Sequence, residues 1–176
     1  MDKNIIAKSS FNFSLIKIGE DKNFIKDLVD LNAKANNYGL TITENIAREI
    51  SVHRQAALIE NERVELKSDA ITRLTSAFLQ TRYINQEDFA ETMGEIINLF
   101  YYIKNETGFF FTDDELIKEM LKVFTETCFG SLELMQGKGL EKILRKDKYD
   151  DKRIWNDYEN KNWEDYYETE YESWRE

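Results

Sequence analysis

The chain has 176 residues, 41% of them hydrophobic and 33% charged, with one cysteine, no proline and a formal net charge of −10. That length predicts one domain. The acidic balance argues against a nucleic-acid-binding surface or an anionic membrane as partner, both of which call for a basic footprint. A lone cysteine cannot form an internal disulfide, which suits a reducing compartment. No run approaches the ~18 apolar residues of a membrane span, and Met1-Asp2-Lys3-Asn4 opens no apolar signal core, so a soluble, cytoplasmic protein is expected.

The absence of proline suits long helices, and the apolar spacing agrees. Residues 1–20 hold Phe11, Phe13 and Leu15 in alternation, which reads as a short strand or an extended arm. Phe24, Leu28, Leu31 and Ala35 then share one helical face, and Asn36, Asn37 and Gly39 supply a stop. A second helix starts near Thr43, or at Thr41 with Glu44 in capping-box spacing, and its inward face reads Ile46, Ile50, His53, Ala57. Polar residues from Glu60 to Arg63 end it. Val64, Glu65 and Leu66 alternate and read as extended.

A third helix over about 69–80 turns Ile71, Leu74 and Phe78 inward. The fourth is the most regular. Asn85 is placed as its N-cap, Phe89, Met93, Ile96, Phe100 and Ile103 form a continuous stripe, and Ala90, Ile97 and Tyr101 form a second beside it. So broad an apolar surface belongs in the middle of a bundle. After Phe109, Phe110 and Phe111, Thr112-Asp113-Asp114-Glu115 has the spacing of a capping box, with extra acid at the positive end of the helix dipole. The fifth helix carries Leu116, Met120 and Phe124, with Leu121 and Cys128 alongside. Gly130 interrupts it. A short helix through Leu132 and Leu134 follows, then a break at Gly137-Lys138-Gly139 and a brief helix over Leu140 to Arg145. The expected fold is therefore all-α: a single-domain bundle of five to seven helices over 21–146, with an N-terminal arm over 1–20 and a distinct segment over 147–176.

That last segment differs sharply in composition. It holds 11 acids against 5 bases, all three tryptophans, five of the nine tyrosines, and no valine, leucine, phenylalanine or methionine. Trp163, Tyr167, Tyr171 and Trp174 have helical spacing, with acids between them. Tryptophan and tyrosine supply contact area at low entropic cost, and acids steer association with a basic surface. Trp155, Tyr158, Trp163, Tyr166, Tyr167, Tyr171 and Trp174 are therefore the candidate partner-binding residues. Docking of the segment on its own bundle is the competing reading. A weaker one is mimicry of nucleic acid by spaced carboxylates, which five interrupting bases disfavour.

Sites for chemistry are sparse. His53 is the single histidine. With Glu49 four residues earlier it could act as a general base, but no nucleophile is placed beside it by local sequence, and a histidine at the core's edge fits as well. Cys128 reads as a buried thiol rather than a nucleophile. Glu87, Glu91 and Glu95 form a ladder on helix four, but the Glu-x-x-His pair of di-iron bundles is missing, so a solvated acidic face is the simpler reading. No phosphate-binding loop, dinucleotide fingerprint, nucleophile elbow or zinc-protease motif occurs. Tyr101, Tyr102, Asn105 and Glu106 close helix four with polar and aromatic groups. With His53 they are the candidate ligand site. No metal or cofactor is expected.

Several stretches together carry a resemblance: Asn37-Tyr38-Gly39-Leu40-Thr41, Arg63-Val64-Glu65, Tyr83-Ile84 with Gln86-Glu87-Asp88-Phe89, Phe100 to Thr107, Asp113 to Ile117, and Cys128-Phe129-Gly130-Ser131-Leu132-Glu133. Over about residues 30–145 the chain resembles an uncharacterised family of small helical bacterial proteins, found mainly in Firmicutes, a domain of unknown function. The resemblance implies no activity, cofactor or catalytic residue, and the segment after about residue 147 departs from it. The leading expectation is a non-enzymatic cytoplasmic interaction protein that binds a partner protein with a basic surface. The alternatives are an enzyme or small-ligand-binding protein with a site near His53 and the end of helix four, and an acidic inhibitor mimicking nucleic acid.

Overall fold

The computed structural model describes residues 21–65, 67–108 and 110–146. The anticipated arm over 1–20 and the acidic segment over 147–176 lie outside these. Every regular element among the described residues is helical: α1 (Lys22–Asp30), α2 (Asn32–Ala35), α3 (Glu44–Glu60), α4 (Asp69–Phe78), α5 (Phe89–Glu106), α6 (Asp113–Glu126) and α7 (Leu132–Leu134). A π-helical segment, Met135–Gly139, carries α7 on into helical residues 140–146. No described helix is long and apolar enough to cross a membrane. The fold is the expected all-α bundle.

Local chemistry sets the helix starts. Asp21 accepts from the Phe24 N–H at 3.0 Å, and Thr43 accepts from the Ile46 N–H at 3.3 Å, satisfying donors that a first helical turn leaves orphaned. At α6 the capping box is complete: the Glu115 N–H donates to Thr112 Oγ1 at 3.3 Å and the Thr112 N–H to Glu115 Oε2 at 2.9 Å. The first apolar stripe spans two helices rather than one, because the helix is interrupted at Leu31 before α2.

The α5 stripe is the centre of the core, with Phe89, Met93, Phe100 and Ile103 fully buried and Ile96 and Tyr101 nearly so. This helix packs chiefly on α3, while α4 packs on α6 and α1 lies across α3 and α4. Helices α3 and α5 run in the same direction: His53 meets Gly94, and Asn61, just past the end of α3, bonds Asn98. Phe78 and Phe124 meet with ring centroids 5.4 Å apart, joining α4 to α6.

Three expectations are corrected. Asn85 does not cap α5; Asp88 occupies that position without a side-chain bond, and the helix starts at Phe89. The preceding loop has another task. The Gln86 amide clamps the Thr41 backbone, accepting from its N–H at 2.6 Å and donating to its carbonyl at 3.1 Å. Second, Gly137-Lys138-Gly139 is no break, since the helix passes through it as the π segment. A Cβ at Gly139 would lie 2.8 Å from Cys128 Sγ and 2.9 Å from Met135 Sδ, so the missing side chain lets the helix run against the core there. Third, the buried face of α3 is Ala47, Ile50, Ser51, Arg54, Ala57 and Leu58, rotated from the anticipated stripe so that Ile46 and His53 are only half-buried. Val64 and Glu65 belong to the loop after α3, with Val64 90% exposed, and Leu66 lies outside the described residues.

Candidate functional site

The polar residues at the end of α5 belong to a network that binds three stretches of chain. The Glu65 carboxylate, in the loop after α3, accepts from Arg63 at 2.9 Å and from Lys104 of α5 at 3.0 Å. Lys104 also pairs with Asp113, the first residue of α6, at 2.7 Å. Asn105 accepts from Arg63 at 2.6 Å and donates to the Asn61 carbonyl at 2.7 Å. Asn61 donates in turn to Asn98 at 2.7 Å, and Asn98 to Glu60 at 3.1 Å. Burial pushes the Glu65 carboxyl up, but the hydrogen bonds and charges of Arg63 and Lys104 together outweigh it, and its pKa lies below the ordinary value.

Beneath this network sits Arg54, 2% exposed. Its Nη2 donates to the carbonyls of Glu65 at 3.2 Å and Lys67 at 3.0 Å. Its guanidinium lies 5.3 Å from the centroid of the Phe24 ring. No carboxylate among the described residues bonds it, and its Nε has no hydrogen-bond partner. Tyr101 is 1% exposed. Burial raises its phenol pKa beyond what nearby Arg54 takes back, so it stays protonated at neutral pH. Arg54 thus lashes the loop after α3 to the core by bonding backbone carbonyls.

The sequence-derived candidates divide. Tyr101 is core, whereas Tyr102, Asn105 and Glu106 are exposed, with Asn105 committed to the network. His53 stands apart from them. Its ring lies against Gly94, where an added Cβ would come within 2.5 Å of the imidazole Cγ. Gly94 precedes Tyr101 by seven residues, about 10 Å along the helix axis, so α5 holds the two parts of the candidate ligand site on separate turns. Cys128 is buried against Met135, their sulfurs 4.0 Å apart, and burial raises its thiol pKa despite Lys142 nearby. Glu87 and Glu91 are exposed, and Glu95 accepts from Gln136 at 3.3 Å. Among the described residues no three acidic, histidine or cysteine side chains are placed to hold a metal ion. Trp155, Tyr158, Trp163, Tyr166, Tyr167, Tyr171 and Trp174 lie outside the described residues.

Sequence reasoning missed Arg54, Asn61 and Gly94. One signal was present for Arg54: Ile50, Arg54 and Leu58 share i, i+4 spacing, with the charge in the middle of an apolar row. For Gly94 the signal was a glycine inside an otherwise unbroken apolar helix, a position that costs about 1 kcal/mol against alanine and so calls for a packing reason.

Together these elements define an all-helical domain tied at one end by a buried arginine and an ion-pair network. Residues 27–153 match the model of a family of unknown function (DUF6323), and the chain belongs to that family. No curated protein and no solved structure matches it.

Proposed function

We propose that this protein is a non-enzymatic interaction module of the bacterial cytoplasm. Its helical domain is a rigid carrier, and its acidic, Trp/Tyr-rich residues 147–176 engage a partner protein through a basic surface. One observation carries the reading: the side chains best suited to chemistry in the described domain are already used to hold it together. His53 fills the space over Gly94, Cys128 packs on Met135, and Arg63 and Lys104 neutralise Glu65 and Asp113. The composition of 147–176 supports the rest, because aromatic anchors among like charges are the usual constituents of an electrostatically steered contact.

The test compares the full chain with one ending at Lys146, by circular dichroism and by pull-down across a range of salt concentrations. The expected result is a folded truncation that loses a partner which the full chain captures, with capture by the full chain weakening as salt rises. A folded truncation that binds unchanged would overturn the assignment to 147–176. Loss of helical signal in the truncation would mean that these residues are part of the core.

A further inference from the structure

Phe110 and Phe111, edge to face at 4.6 Å between centroids, form one wall of a groove of about 440 Å³. Lys118 and Lys122 of α6 form another, and Lys146, the last described residue, stands on its rim. Two acids also line it, and both are committed. Glu119 pairs with Lys146 at 2.8 Å, and Glu115 is held in the capping box by Thr112. The ammonium groups of Lys118 and Lys122, one helical turn apart and exposed, have no carboxylate partner among the described residues. The groove therefore offers half-buried aromatic surface beside two lysines without a carboxylate partner, and its lining carries a net positive charge.

We propose that this groove is the docking surface for the chain's own residues after Lys146. Three observations select that occupant. The chain leaves the described domain at the groove's rim, so the next residues are tethered there at high effective concentration. Those residues are the most acidic and most Trp/Tyr-rich part of the sequence, matching lysines and phenylalanines with acids and aromatics. The family match runs on to residue 153, which places the first seven residues of this segment within the family's own unit. Trp155 follows Lys146 by nine positions, an extended reach of about 30 Å, so the first tryptophan can reach the groove.

This deepens the proposed function and rests on it in one respect: a segment held on its own domain must be displaced by a partner, so docking would regulate binding. Docking itself needs no partner, and its test uses none.

All three tryptophans lie in 147–176, so intrinsic tryptophan fluorescence of the full chain reports on that segment alone. The expected result is emission blue-shifted from free N-acetyltryptophanamide and shielded from acrylamide, independent of protein concentration. K118E/K122E in the full chain should move emission and quenching towards those of the free compound with the circular dichroism unchanged. Should that pair unfold the protein, K118Q/K122Q is read the same way. The matched control is K22E/K26E, in a second groove of about 470 Å³ on α1, which should leave the tryptophans shielded.

Three results would overturn the proposal. One is wild-type emission already like that of free tryptophan. Another is release by K22E/K26E but not by the Lys118 and Lys122 changes. The third is shielding that rises with protein concentration, which would make the occupant a second copy's segment. A positive result here with an empty pull-down would leave the docking intact and remove only the partner reading.

Discussion

His53 packs against Gly94, so close that a β-carbon on residue 94 would sit 2.5 Å from the imidazole Cγ and 2.6 Å from Nδ1. The single histidine is thus a spacer between α3 and α5. Gly94→Ala should destabilise the protein by about 1–3 kcal/mol through overpacking, even though alanine is the better helix former by about 1 kcal/mol. In a His53→Ala background the same change should be neutral or stabilising. A double-mutant cycle in urea measures this coupling, and additive effects of the two substitutions would show that the contact is not what constrains residue 94.

Phe100 is fully buried on α5, within the stripe that runs from Phe89 to Ile103. Phe100→Ala should cost about 3–5 kcal/mol, since it removes a large side chain from a close-packed centre and leaves a cavity. The denaturant midpoint should fall with little change in slope. An unchanged midpoint would mean that the bundle's centre lies elsewhere.

What could be read from sequence was local. The α5 stripe repeats over about four turns, and Thr112 and Glu115 are close enough to announce their box. The features that escaped are long-range. Arg54 reads as a surface charge because its acceptors are carbonyls 11 and 13 residues further on. Asn85 has the chemistry of a cap, but its neighbour Gln86 is bonded to Thr41, 45 residues back, and the loop follows that bond. Gly137 and Gly139 read as punctuation because glycine usually is; residue 139 is instead a contact with Cys128. The partners of the α5-terminal residues, Arg63, Glu65 and Asp113, come from a loop and another helix, and no local spacing announces them.

Arg54 supports a prediction of its own. Its two bonds hold the loop after α3, so Arg54→Ala should strand the carbonyls of Glu65 and Lys67 and cost about 3 kcal/mol. Arg54→Lys keeps the charge but not the planar fork, and should recover only part of that loss. Hydrogen exchange or limited proteolysis should show the loop around residues 61–67 opening first. Full recovery by lysine would mean that only the charge matters, and no change in either variant would remove the loop-anchoring role.

Glu65 should make the fold sensitive to acid. Burial alone would raise its pKa, but Arg63 and Lys104 reverse the shift, so the folded value lies below the unfolded one of about 4.3. The folded state then binds fewer protons than the unfolded state in this window. The contribution is fully present above the unfolded value and is lost as pH falls through the folded value. Glu65→Gln removes the ionisable group while keeping the shape. Near pH 7 the wild type should have the higher urea midpoint, and the gap should shrink as pH falls below about 4. Lys104 would still hold Asp113 in the variant, so the α5–α6 junction should persist and the loss should be confined to the loop after α3. A gap that stays constant from neutral to acid pH would show that the carboxylate's charge contributes nothing and that its two partners are held by shape alone.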